Sequence, residues 1–312
     1  MRQTDEILEP ATYALFALLC LFWGSTWIAI KTGVTALPPF FFAGTRFLVA
    51  GLLLLAWLRV TRRVMPITLR QTLPLVPGAF LMIAVNYGLM AWGMQSVSSG
   101  LSAVINLALI PLAMLVFSAL YGLEAVRGAK VIGLVTGIGG VVMLFYPGIV
   151  GAQISSSVVG MCAIAAGASC YSWGSVVNKR MGVQHSPVVT SAVQSFYGGL
   201  ILTVISVVTE PVNARVWSVF ADPAVLASWV FLVVCGSLMA FTIYLVLLGK
   251  WNATRVANYA FICPVIALLE SAVIDQELIS GMQALASALM LGGAWIAMRR
   301  PRVAPQCAVR GA

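Results

Sequence analysis

Two charged side chains, Arg46 and Glu270, fall inside the long apolar runs of this 312-residue chain. A guanidinium in hydrocarbon is costly, so Arg46 must face a cavity or a partner. At 1.5 Å of helical rise per residue, Arg46 lies roughly 12 Å and Glu270 roughly 8 Å below one membrane surface, depths compatible with an ion pair. Arg46 is then either a clamp for a substrate carboxylate, with Glu270 in a gate, or half of a structural charge pair. Proline adds a second kind of chemistry. Pro111 and Pro264 sit in the middle of apolar runs, where each removes a backbone donor and loosens its helix. They are expected to act as matched hinges or as static kinks. Polar and aromatic groups gather at similar depth: Trp23, Asn86, Tyr87, Asn106, Trp173, Asn178, Gln194, Tyr197, Thr242, Tyr244, Asn258 and Tyr259. Aromatic walls with a few polar tips suit a ligand the size of an amino acid. The same amides also bridge helices, since a polar group in lipid must find a partner.

The chemistry that is missing is equally informative. A membrane-embedded enzyme needs carboxylates or histidines clustered at one depth, and the runs hold none. The single histidine, His185, falls at a loop-to-helix boundary. Five of the six cysteines lie within apolar runs and none forms a C-x-x-C pair, so no metal or cofactor is expected. The absence of a Walker motif argues against drive by ATP on this chain. A channel would call for rings of pore charge.

The elements that position these groups follow from composition. The chain is 61% hydrophobic and 9% charged, far from the roughly 25% charge of soluble domains, so its solvent is a lipid bilayer. Segments of alternating polarity about ten residues long are missing, which argues against a barrel. The fold expected is an all-α membrane protein of ten transmembrane helices: 12–34, 38–60, 72–94, 99–121, 129–147, 157–179, 186–208, 226–248, 254–275 and 280–299. The acidic start, 1–11, makes a poor signal peptide and reads as a cytoplasmic segment; 300–312 is a basic cytoplasmic tail. With this count, fifteen Lys and Arg residues fall on the side holding both termini and two on the other. The positive-inside rule then puts both termini in the cytoplasm. The net charge of +9 is thus an orientation signal, and nucleic-acid binding is not expected.

The chain repeats itself. Pro111, Glu124, Gly139 and Gly140 return as Pro264, Glu277, Gly292 and Gly293, each displaced by 153 residues. Trp23-Gly24-Ser25 returns as Trp173-Gly174-Ser175, and Arg46 falls opposite Gln194. Two five-helix repeats are expected, 12–147 and 157–299. Five is odd, so the second enters the membrane inverted, and the cavity between them opens to each side in turn. Glu124 and Glu277 precede a helix start, where negative charge is favourable. The spacings Gly133/Gly137 and Ala284/Ala288 allow the fifth and tenth spans to meet closely, within the protomer or across a homodimer.

These features resemble the drug/metabolite transporter superfamily, and within it the EamA-type ten-helix permeases. The resemblance rests on Trp23-Gly24-Ser25, the Pro39-to-Arg46-Phe47 stretch, Pro111 and Pro264, the glutamates that come after them, and the glycine pairs. It implies a carrier of small metabolites in the inner membrane, often an exporter of amino acids as in the YddG-type members, and leaves drug-type multi-substrate efflux as the alternative. The four-helix multidrug pumps of the superfamily carry an essential glutamate in their first helix. The first span here has no carboxylate, which argues against quaternary-cation antiport.

Overall fold

A computed structural model describes residues 10–61, 69–97, 99–150, 158–181, 186–274 and 280–298. The described residues are helical, with no strand among them. Eight helices are long and apolar enough to cross a membrane. In chain order the elements are α1 (Pro10–Gly24), α2 (Thr26–Ala36), α3 (Pro39–Val60), α4 (Arg70–Gly93), α5 (Ser99–Leu120), α6 (Gly128–Val150), α7 (Val158–Arg180), α8 (Pro187–Thr209), α9 (Ala214–Phe220), α10 (Pro223–Lys250), α11 (Ala253–Ala257), α12 (Tyr259–Ile274) and α13 (Gly281–Met298). The shorter α1 is also apolar. Helix α7 has membrane length, but its serines, glycines and closing Asn178-Lys179-Arg180 make it the most polar of the long helices.

Three expected elements differ. The first span is not continuous: it divides at Ser25, whose hydroxyl turns back to the Leu21 carbonyl at 2.7 Å and also meets Glu270 Oε1 at 2.5 Å. A hydroxyl bonded to its own helix competes with the helical ladder and bends it. The ninth span divides at Asn258, whose amide donates to the carbonyls of Thr254 and Arg255, both at 3.2 Å. The long loop 209–225 holds α9, capped by the Asn213 carboxamide. Trp217 and Phe220 of α9 set edge-to-face contacts on Phe41, and Phe220 another on Trp229. Residues 1–9 of the expected N-terminal segment and the whole expected tail 300–312, with Glu277 and His185, lie outside the described residues.

Small residues decide which helices touch. Helix α3 lies against α8: a Cβ on Gly44 would sit 2.7 Å from Thr203 N, and one on Gly199 would run into the backbone of Leu48. Helix α6 lies against α13, where a Cβ on Gly133 would sit 2.6 Å from Ala297 N and one on Gly140 2.7 Å from Met290. Such approaches replace hydrophobic drive with van der Waals contact between backbones. The expected meeting of the fifth and tenth spans therefore occurs within the protomer. In addition α5 packs on α7, and α1 on α12.

Two stretches widen into π-helix, Phe80–Val85 in α4 and Leu232–Ala240 in α10. Their starts are 152 residues apart, close to the repeat displacement. A π turn rotates the helix beyond it and loosens carbonyls from the ladder. Asn86 and Tyr87 come directly after the first stretch. Within the second, the Gly236 carbonyl accepts from Trp23 Nε1 at 3.2 Å.

Candidate functional site

A cavity opens among α1, α2, α4, α5, α7 and α12. Its empty space, mouth included, is about 540 Å³, of which about 70 Å³ is free to the centre of a water molecule. At 10–15 Å³ per water on that measure, this is room for about five to seven waters, which fits a small metabolite.

Two pairs of wall positions are related by the repeat. On α5, Asn106 and Ile110 face the cavity; on α12, Tyr259 and Cys263 do. These positions differ by 153 residues, and Pro111 and Pro264 come directly after Ile110 and Cys263. Both proline-bearing helices run unbroken through their prolines. Neither ring nitrogen can donate to the carbonyl four residues back, so Leu107 O and Ala260 O each lose a helical partner beside the cavity. Helix α4 contributes Asn86, Tyr87 and Met90, α1 contributes Trp23, and α2 contributes Thr26 and Ile30.

One side carries a cluster of aromatic rings in tilted and edge-on contact. The Trp23 ring lies 4.6 Å from Tyr259 and 5.4 Å from Tyr244, and Tyr244 lies 5.5 Å from Tyr171, which lines the cavity. Tyr244 donates to Ser175 Oγ at 2.7 Å, which anchors the cluster to α7.

Arg46 is 5% exposed and lies against Tyr87, one of the residues that line the cavity. Its guanidinium lies 4.6 Å from the centre of the Phe47 ring and 4.8 Å from that of Tyr87. The expected ion pair with Glu270 is not formed: Glu270 binds Ser25, and the one ion pair among the described residues is Lys130–Glu124. Equal depth in the membrane does not fix which way two helices face, and aromatic rings provide the counter-surface instead.

Five of the expected site residues, Trp23, Asn86, Tyr87, Asn106 and Tyr259, therefore line one cavity. Tyr244 and Arg46 each lie against a residue that lines it. Asn178 and Gln194 form a reciprocal amide pair, 2.9 and 3.2 Å, that leans on Met82 and fills the notch left by Gly78. Tyr197 shares a 3.0 Å hydrogen bond with Thr72. Thr242 donates to Ser191. Asn258 turns back onto its own helix. Trp173 is 41% exposed; its indole donates to Tyr121 and stacks on Phe117. Tyr171, two residues earlier and so on the opposite side of α7, takes the place in the wall that the Trp23 repeat suggests for Trp173.

Two glutamates act across the repeats. Glu124 is expected from the sequence to serve the start of its own following helix; instead its carboxylate accepts from Thr254 N at 3.1 Å, at the head of α11, and pairs with Lys130 at 2.6 Å. Glu210 carries no signal in the sequence that singles it out. It accepts from Phe40 N and Phe41 N at 2.9 and 2.8 Å and so caps α3.

Membrane-length helices wrapped around a buried aromatic cavity define a polytopic α-helical membrane protein. Residues 11–146 and 158–299 match the EamA-like transporter family, and the chain belongs to that family, within the drug/metabolite transporter superfamily. It is 31% identical over 306 residues to the "Uncharacterized inner membrane transporter YedA" of Escherichia coli K12, covering 96% of each chain. It is also 31% identical to the "Uncharacterized transporter YvbV" of Bacillus subtilis, covering 87% of this chain and 86% of that one. A "Probable amino-acid metabolite efflux pump" of Salmonella typhimurium is 27% identical over 90% of this chain and 93% of its own length. A solved structure named "Crystal structure of protein" shares the fold with a TM-score of 0.77 at 21% identity, covering 92% of this chain and 96% of that one. The chain is thus a multi-pass inner-membrane transporter, not an enzyme.

Proposed function

We propose that this chain is a secondary exporter of small organic metabolites, amino acids foremost, working by alternating access. It would hold ten spans as two five-helix repeats inverted relative to each other, with both termini cytoplasmic. The observation that carries this reading is the cavity flanked by α5 and α12, where two pairs of lining positions, Asn106 with Tyr259 and Ile110 with Cys263, are repeat mates beside matched prolines. The packing supports it. A two-fold relation between the halves maps the α3–α8 contact and the α6–α13 contact onto themselves, and exchanges α1–α12 with α7–α5. Two packings of near-equal energy related by such an axis supply the two open states. The Salmonella relative's printed name supports the substrate class.

The test is counterflow of a labelled amino-acid and metabolite panel in proteoliposomes, with and without a pH gradient. Flux of at least one small solute is expected, reduced by about tenfold or more when Asn106 and Tyr259 are both replaced by alanine, if each contributes about 1 kcal/mol of contact. No flux of any panel member, from protein shown to be folded, would remove the reading.

A further inference from the structure

Four polar atoms around the cavity are left with unmet demands. Asn86 Oδ1 and Asn106 Oδ1 are buried acceptors without a donor, the Tyr171 hydroxyl is buried without a partner, and all three residues line the cavity. Arg46 Nε is a buried donor without an acceptor, on a side chain that rings rather than carboxylates surround. Buried polar groups are nearly always satisfied, so orphans gathered at one space point to what enters it. No carboxylate lines the cavity. Glu270, on the same helix as Tyr259, is engaged with Ser25. Glu124 is engaged with Lys130 and Thr254. The Arg46 charge is therefore uncompensated among the described residues, and Tyr87 stands between it and the cavity.

Resting on the transporter reading above, we propose that Arg46, acting through Tyr87 and without touching the solute, makes the cavity a charge filter. It admits solutes that carry a carboxylate and no net positive charge, while the Asn86 and Asn106 oxygens take the solute's N–H donors. The two demands together describe a zwitterion. The carboxylate lies toward the Tyr87 phenol, which the guanidinium polarises as a donor. The ammonium lies toward the two amide oxygens, and an apolar side chain rests on Leu107, Ile110 and Met90. An isolated ammonium also has aromatic faces to rest on, and rings alone would welcome it. The Arg46 charge overrides them. At a separation of about 8 Å and an effective dielectric near 20, like charges repel by enough to weaken binding about thirtyfold. Basic amino acids and quaternary ammonium compounds are thereby rejected, although the cavity is aromatic.

The experiment measures binding by tryptophan fluorescence of the full chain in lipid nanodiscs. The probes are L-alanine, L-valine, L-threonine, L-leucine and L-methionine, each beside its carboxamide, together with L-lysine and tetraethylammonium. Each carboxamide keeps size and ammonium but carries a net positive charge. The amino acids are expected to bind at least about tenfold more tightly than their amides and than the two other cations. Arg46→Gln is expected to erase most of that ratio, and Arg46→Lys to retain it. Asn106→Asp, which brings a negative charge into the wall, is expected to shift preference toward the amides. If Arg46→Gln does not fold, the Arg46→Lys and Asn106→Asp pair carries the same comparison. Amides bound as tightly as amino acids, or a ratio that neither Arg46→Gln nor Asn106→Asp moves, overturns the proposal. So does failure of every amino acid to bind while counterflow reveals another substrate. Failure of counterflow for all solutes instead strikes the transporter reading itself.

Discussion

At the scale of single residues, the buried charges divide into those that hold helices and the one, Arg46, that faces aromatic rings and no opposite charge among the described residues. Glu124 has a fully buried carboxylate, while its partner Lys130 is 20% exposed. Replacing Glu124 by alanine strands the Thr254 N–H at the head of α11 and leaves Lys130 free to swing outward. The expected loss is about 1–3 kcal/mol, the cost of an unmet buried donor plus a charge-assisted bond. Glu124→Gln, which keeps an acceptor for Thr254, should recover more than half of it. Thermal unfolding of the detergent-solubilised variants checks the order; equal midpoints for the two variants would show that the charge pair alone matters. Residue type and depth were enough to pick out Trp23, Asn86, Tyr87, Asn106 and Tyr259, because polar and aromatic groups in mid-membrane need somewhere to face. They were not enough for Trp173. A repeat mate keeps its depth, but a two-residue shift on a helix turns it to the far side, and that side of α7 carries the indole outward.

At the scale of elements, glycine sorts contact faces from lipid faces. The twin glycines recur 153 residues apart, yet their members differ in role. Gly140 and Gly293 are pressed between α6 and α13, whereas a Cβ on Gly139 or Gly292 would meet nothing within 4 Å. Gly139→Ala is therefore expected to be neutral or to stabilise by up to about 1 kcal/mol, from helix propensity alone. Gly140→Ala and Gly199→Ala, which force backbones apart, are expected to cost about 1–3 kcal/mol each. The folded fraction recovered by size-exclusion after a temperature series reads both directions at once, and a destabilised Gly139→Ala would mean that this face is covered in the membrane. The long membrane-crossing helices were legible from apolar runs alone. The breaks at Ser25 and Asn258 and the π stretches were not. Each depends on a local competition for a backbone carbonyl, which hydropathy cannot register. Nor did equal depth predict the neighbours of Arg46, since rotation about a helix axis is set by the packing of α3 on α8.

At the scale of the whole molecule, the proposed two-fold relation between the repeats also predicts how the cavity should move. Thr26 and Ile30 lie on α2, beyond the break at Ser25, and the positive-inside assignment puts that end of the first span outward. Toward the other end, Trp23 packs against Tyr244 and Tyr259, and Tyr244 is bonded to Ser175. On the proposed orientation and cycle, the conformation described would be the outward one. In a chain whose native cysteines are replaced by alanine or serine, Ile30→Cys should react with an impermeant maleimide added outside, and Ser175→Cys should be inert. Conditions that favour the inward state, such as a transported solute supplied only from the cytoplasmic face, should slow the first reaction and expose Ser175→Cys to reagent from that face. A carrier requires this reciprocity, because one cavity between two repeats cannot widen at one mouth without narrowing at the other. Simultaneous reaction at both positions would describe a channel. Reaction at Ser175→Cys that never rises would describe a rigid pocket, and the matched prolines of α5 and α12 would then be kinks without a cycle.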